Sequence, residues 1–477
     1  MPLQQTSGNI TADSYGGVGS NTTAKYIEDY FKTWVRSGTG ATASIATGID
    51  ATTNEVMLWI KARTTTSTAR VCDTIRGATN SLTVNATSSQ TAAATGVTAF
   101  TSTGYTVGTD LTYNSATQTF VDWSFASTPK FFDIVTYTGN ATNRTIAHNL
   151  GSVPGCIIVK PYLSGTGGWV IYHKSVASPT TSSLRLNTTA APQASTTMWN
   201  STAPTSSVFS IGTATEVNTN GVGYVAYIFA DNAGGFGSSG NENVISCGTF
   251  TTDAARDASV NLGYEIQWLL AKPAATISDW VMYDNMRDMS YTDGAYLVPN
   301  TATAEVADSG EVRPTAVGFD IAGTTTFAAS TAYVYIAIRR GPMRTPTDAT
   351  KVFSPIARTG TGAAATVTTG FVTDAVLSAP RAAASTRMTA FFDRIRGALV
   401  GLTSSSTNSE TSFASTLTGF DNMTGFAVGA EGTTANNATI NRSTSTFVNW
   451  TLQRAPGFFD ESCYTGTAVA KTVAHNL

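Results

Sequence analysis

Phe132-Asp-Ile-Val-Thr-Tyr-Thr-Gly139 returns as Phe459-Asp-Glu-Ser-Cys-Tyr-Thr-Gly466. Both run on alike, into Thr145-Ile-Ala-His-Asn-Leu150 and Thr472-Val-Ala-His-Asn-Leu477. Weaker copies open at Phe31 (with Val35-Arg-Ser-Gly38), Ile245 (with Gly248-Thr-Phe250) and Phe353 (with Arg358-Thr-Gly360). The starts at 31, 132, 245, 353 and 459 give spacings of 101, 113, 108 and 106. Self-similarity at so even a period is the signature of a repeat array.

Three further landmarks recur in the same order inside each copy. An apolar strand comes first: Val56-Met-Leu-Trp-Ile-Lys61, Cys156-Ile-Ile-Val-Lys160, Gln267-Trp-Leu-Leu-Ala-Lys272 and the poorer Ala375-Val-Leu-Ser378. An aromatic and acidic segment follows, at Cys72-Asp-Thr-Ile-Arg-Gly77, Trp169-Val-Ile-Tyr-His173, Trp280-Val-Met-Tyr-Asp-Asn-Met-Arg287 and Phe392-Asp-Arg-Ile-Arg-Gly397. After a Gly/Phe turn, the copy closes on an alternating strand: Phe120-Val-Asp-Trp-Ser-Phe125, Tyr224–Phe229, Tyr333–Ile338 or Phe447-Val-Asn-Trp-Thr-Leu452. Period-two alternation puts Val121, Trp123 and Phe125 on one face, the expected core side, and Phe120, Asp122 and Ser124 on the other.

Short strands separated by turn signals at 8–12-residue intervals predict roughly eight to ten strands per copy. Two packed antiparallel sheets would bury their apolar faces against each other. The expected fold is therefore all-β, a tandem array of β-sandwich domains, jelly-roll-like rather than immunoglobulin-like. The reading divides the chain into a leader at 1–30 and four complete units at 31–131, 132–244, 245–352 and 353–458, with the start of a fifth at 459–477. Junctions are short and carry Pro129, Pro342, Pro346 or Pro456. A fixed φ at each predicts stiff joints and a semi-rigid rod. A lone first strand at 459–477 has no partner, so the natural protein is expected to continue beyond it.

Composition agrees with this class. Only 12% of residues are charged, 10% are aromatic, and there are 42 glycines. A disordered chain would have few aromatics and high net charge. A net charge of −3 without a basic stripe argues against nucleic-acid partners. Apolar runs fall far short of the ~20 residues of a membrane helix, so no membrane insertion is expected. Cys72, Cys156, Cys247 and Cys463 are isolated and do not form a disulfide framework.

The candidates for chemistry do not persist from copy to copy. His148 and His475 share a turn position, but no nucleophile or acid recurs beside them. The pairs Asp73/Arg76, Asp284/Arg287 and Asp393/Arg396 read as surface ion pairs of small energetic weight, and the second copy carries His173-Lys-Ser instead. Trp59, Trp123, Trp268, Trp280 and Trp450 lie on strands, where core is the expected role. No enzymatic activity, catalytic residue, metal site or cofactor is expected. The leader, rich in Gly, Ser, Thr and Asn, runs into the aromatic anchors Tyr26, Ile27, Tyr30 and Phe31, read as an attachment segment.

At these landmarks the chain resembles a family of very long structural proteins of tailed bacteriophages of marine bacteria and cyanobacteria. The matching stretches include Phe132–Asn140, Arg144-Thr-Ile-Ala-His-Asn-Leu-Gly-Ser-Val-Pro-Gly155, Tyr335-Ile-Ala-Ile-Arg-Arg-Gly-Pro-Met343 and Arg454-Ala-Pro-Gly-Phe-Phe-Asp460. The resemblance covers nearly the whole chain, and the fourth unit departs at Ala379-Pro-Arg381. It implies a virion protein, most simply a tail fibre docked through its N-terminal leader on other tail or virion proteins. Its distal units would meet a host-surface glycan or protein. It also implies a symmetric homo-oligomer, a trimer by analogy with other fibres. The alternatives are a capsid decoration or tail-hub accessory protein, and a glycan-binding adhesin module.

Overall fold

The computed structural model describes residues 24–323, 325–382, 389–404, 406–413, 416–430 and 440–477. The leader at 1–23 therefore lies outside the described residues. The first unit shows the plan. Its strands are β1 (Phe31–Ser37), β2 (Ala43–Ile45), β3 (Val56–Ala62), β4 (Arg70–Asp73), β5 (Asn80–Thr83), β6 (Thr91–Ala92), β7 (Val97–Thr101), β8 (Gly104–Val107) and β9 (Thr119–Ala126). One sheet runs β1-β9-β3-β4-β5-β6, and the other β2-β8-β7. The first strand pairs with the last and the second with the last but one, the nesting of a jelly roll. Strands β3 to β6 then depart from that winding and run as a meander.

The same plan recurs three times. The second unit opens at Phe132, the third at Ile245 and the fourth at Phe353, each with its first strand paired to its last. Registers fix the equivalences. Phe125, Phe229, Ile338 and Leu452 all pair with the opening residue of their unit. Met57, Cys156, Trp268 and Ala375 pair with those same four residues from the other side. The chain is a tandem array of β-sandwiches. Residues 459–477 form no strand, and a single bridge joins Phe459 to Ala455.

Burial separates the fourth unit from the others. All seven residues of β3 are buried, and seven of the eight in β9. The corresponding strands Gly223–Phe229 and Ile266–Pro273 are buried throughout. In the fourth unit Thr446–Leu452 alternates strictly between half-buried and buried. A strand buried on both faces needs a second partner beyond its own sandwich.

That partner is a neighbouring unit. In the first unit Leu58, Ile60, Cys72, Tyr105 and Phe120 fill the sandwich interior. Val121, Trp123, Phe125, Met57 and Trp59 face the other way, into a core shared with the second and third units. Phe125 makes edge contacts with Phe229 of the second unit and Trp268 of the third, with ring centroids 5.9 and 5.6 Å apart. Two expectations are corrected here. Alternation identified the apolar face of β9 but assigned it to the unit's own interior, when it lies in the shared core. The first three units are also packed side by side rather than strung end to end as a rod, because this second apolar face has to be covered.

Candidate functional site

Recurring lysines and Asp–Arg pairs sit where the first three units meet, and the lysines make the same contact all around the cycle. The carbonyl groups at the interfaces need donors once water is excluded. A lysine at the end of β3 or its equivalent supplies them. Lys61 Nζ donates to Ser67 O in its own unit (2.9 Å) and to Thr301 O of the third (3.0 Å). Lys160 Nζ donates to Gly167 O (2.6 Å) and to Ala86 O of the first (3.2 Å). Lys272 Nζ donates to Ser278 O and to Thr189 O of the second (3.1 Å). Burial pushes all three amines down to about 8, with Arg287 adding to the effect at Lys61.

The backbone beside each lysine joins in. Ser67 N donates to Ala302 O, Gly167 N to Thr87 O and Ser278 N to Thr189 O, at 2.8, 2.8 and 2.9 Å. Trp169 Nε1 reaches Thr83 O of the first unit (3.1 Å), and Trp280 Nε1 reaches Arg185 O of the second (2.8 Å). The contacts run from the second unit to the first, the third to the second and the first to the third. The three units therefore close a ring, built like a heterologous cyclic trimer but within one chain.

The Asp-x-x-Arg pairs lie in this ring. Asp73 Oδ2 accepts from Arg76 Nε at 2.6 Å and from the Tyr227 hydroxyl of the second unit at 2.7 Å. Asp284 Oδ2 accepts from Arg287 Nε at 2.8 Å and from Trp123 Nε1 of the first unit at 3.0 Å. Both pairs have 0% side-chain exposure, so the reading of them as surface ion pairs is corrected. Charged residues are seldom fully buried unless paired, and here the partner is in the next turn. At the third interface the donating position is Ile336, which offers no polar side chain. The acceptor is replaced accordingly. His173 donates from Nε2 to Tyr335 O (3.0 Å), and its Nδ1 accepts from Ser175 N (3.2 Å). Burial lowers this imidazole to about 4.

Asp393 and Arg396 form the same local pair in the fourth unit, Arg396 N donating to Asp393 Oδ1 at 2.8 Å. That unit lacks the lysine, carrying Ala379 at its place. It is tied to the rest by a different set of contacts. Arg63 of the first unit holds Glu305 of the third through two 2.8 Å bonds and Asp421 of the fourth at 3.0 Å. Burial pushes Glu305 up, yet Arg287 and Arg63 outweigh it and hold the carboxyl below its usual value. Arg454 grips Glu265 of the third unit, at 2.9 and 3.1 Å. A cleft of about 380 Å³ opens at this joint between the first, third and fourth units. Part of its charged lining is engaged locally: Glu28 with Met343 N, Arg340 with Glu265 and Asp374 with Arg394.

The four aromatic and apolar anchors read as an attachment segment also belong to the molecule itself. Ile27 and Phe31 are 0% and 1% exposed in the shared core, and Tyr26 and Tyr30 pack against its edge. Fully buried side chains cannot meet a partner, which corrects that assignment for Ile27 and Phe31. Of the tryptophans, Trp59, Trp123, Trp268 and Trp280 are core, while Trp450 is only half-buried. His148 bonds to backbone, through Thr205 O (3.2 Å) and Leu150 N (3.3 Å).

Two sets of residues were missed in the sequence. The role of the lysines was signalled by a charge ending an apolar strand at the same place in three copies. Asn114, Asn218 and Asn441 recur just before the last strand. Each is buried and bonds through its side-chain amide to one carbonyl nearby in the chain (Gly108, Gly212 or Gly429) and to one of a distant turn (Ala41, Thr142 or Ala363).

The fold and this interface define a tandem β-sandwich protein in which three units close a ring around a common core. A family model described as a domain of unknown function (DUF7483) matches residues 27–342 and 348–477, and the chain belongs to that family. No curated protein and no solved structure matches it. The matched segments meet at 343–347, the linker between the ring and the fourth unit.

Proposed function

We propose that the chain is a structural protein of a bacteriophage virion, most simply a tail fibre held by its N-terminal end and involved in host attachment. One observation carries the structural half of this reading. The polar residues that recur from unit to unit, Lys61, Lys160 and Lys272 with the two buried Asp–Arg pairs, are consumed in holding units to one another. Their recurrence serves shape, and shape is what a virion component contributes. The virion half rests on the resemblance of the Phe132–Asn140, Arg144–Gly155 and Tyr335–Met343 stretches to phage structural proteins. No catalytic step, metal or cofactor enters the proposal.

A compact three-unit ring also suits a decoration or tail-hub accessory protein, since side-by-side packing makes a block that could pave a surface. Gold labelling of virions with antibody against the second unit distinguishes the two. Labels along a tail appendage are expected. Labels over the capsid shell would replace the fibre reading by the paving one, and virions without label would remove both.

A further inference from the structure

The cleft at the joint of the first, third and fourth units holds more charge than its own contacts use. The carboxylates that line it are committed. Glu28 accepts from Met343 N and Arg344 N, both at 3.0 Å. Asp348 accepts from Thr350 N at 2.9 Å. Asp374 accepts from Arg394 Nε at 2.9 Å and from Arg454 N at 2.7 Å. Of the cations, Arg340 is paired with Glu265 and Arg344 with Asp29. Among the described residues, the side chains of Lys32 and Lys351 have no hydrogen bond or ion pair. The uncommitted charge in the cleft is therefore positive. Lys32 is half-buried, and burial holds its ammonium below the usual lysine value, with Glu28 offsetting this only in part. A desolvated cation of this kind gains from an anion brought beside it.

Much of the remaining wall is apolar. Met286 of the third unit, Val352 at the linker, and Val372 and Met423 of the fourth unit line it. Methionines adapt to irregular apolar shapes. The volume of about 380 Å³ is that of a small-molecule site. The presence of a following unit does not close this end of a sandwich. Asn54, Val153 and Val372 each stand three residues before the equivalent positions Met57, Cys156 and Ala375. Asn54 and Val153 line hollows at that end of the first and second units, and each of those units has a complete successor in the chain.

We infer that this cleft binds a small organic acid with an apolar body. The carboxylate meets the ammonium of Lys32, and the body lies on Met286, Val352, Val372 and Met423. The inference stands apart from the virion reading, because binding to the purified chain is measured without reference to where the protein works.

The experiment is calorimetric titration of the purified 477-residue chain with octanoate and with octanamide, its uncharged counterpart. Octanoate should bind one to one with a Kd of about 1 mM or tighter, and octanamide about tenfold more weakly. Lys32→Gln should weaken octanoate about tenfold and leave octanamide unchanged, while Lys130→Gln, in the second unit, should change neither. A second measurement uses the unaltered chain. Octanoate at about ten times its Kd should slow acylation of the Lys32 amine about tenfold, read by peptide mass, and leave Lys130 at its free rate. A chain that takes up no octanoate at about 20 mM overturns the inference. So does equal affinity for octanoate and octanamide, octanoate binding indifferent to Lys32→Gln, or a Lys32 amine that saturating octanoate does not protect.

Discussion

The first and fourth units have nearly the same strand plan and the same Asp-x-x-Arg turn, yet their large sheets live in different surroundings. In the first unit, Trp123 and its neighbours are covered by two other sandwiches. In the fourth, Trp450 and its neighbours are half-buried. The difference teaches that a repeat's sequence specifies a sandwich with two usable faces, and that assembly decides whether the second face is core. Where a ring closes, turn charges become buried charges, and their energetic weight changes with them.

The largest expected effect comes from that change in weight. Asp284→Ala leaves Arg287 buried with Glu305, at 3.1 Å, as its remaining carboxylate, and removes the acceptor of Trp123. Breaking a buried pair in this way costs about 3–5 kcal/mol. Chemical denaturation of the variant should show a loss of that size; a loss below about 1 kcal/mol would put the pair back among ordinary surface contacts.

Next comes the leucine series. Leu82→Ala opens a cavity in the shared core and should cost about 2–5 kcal/mol. Leu402→Ala removes a partly exposed side chain and should cost less than about 1 kcal/mol in unfolding of the single chain. Equal losses at the two sites would show that the fourth unit's face is covered after all within one chain.

His173 sharpens the comparison through pH. In the folded chain its imidazole stays neutral down to about pH 4, whereas an unfolded chain takes up that proton near 6.5. Between these values the unfolded state binds the extra proton, so stability falls as pH falls through this window. At full depression the loss is about 3 kcal/mol. His173→Gln keeps a donor toward Tyr335 O and does not titrate. Its stability should therefore depend less on pH between 6.5 and 4, and an unchanged slope would count against burial of the ring.

Much of the architecture is legible in the amino-acid sequence alone. The repeat spacing, the apolar strands and the alternating last strand all correspond to observed strands at Val56–Ala62, Cys156–Leu163 and Thr119–Ala126. What could not be read was the cover. Val121, Trp123 and Phe125 present the same apolar pattern whether a second sheet or a second unit lies over them, since burial depends on area and not on who supplies it. The stiffness of a proline-bearing junction likewise carries no direction, so a stiff joint was extended into a rod. Asp73 and Arg76 were read as exposed because local sequence shows the pair but not Tyr227, which lies 154 residues away from Asp73. The change to His173 at one copy looked like a dispensable site. In space it follows the change to Ile336 on the strand that faces it.

The smallest effect tests the ring contact atom by atom. Tyr227→Phe removes only the hydroxyl that Asp73 Oδ2 accepts, leaving the Arg76 Nε bond and the ring packing in place. Loss of one donor to a buried charged acceptor should cost about 1–3 kcal/mol. Trp450→Phe at the equivalent position of the fourth unit should change unfolding of the single chain by less than about 0.5 kcal/mol, because among the described residues its indole has no acceptor across an interface. The two substitutions thus separate what the residue type contributes from what the ring contributes. If Tyr227→Phe is as silent as Trp450→Phe, the polar contacts do not hold the ring together, and its stability must be assigned to the apolar core around Phe125 and Trp268 alone.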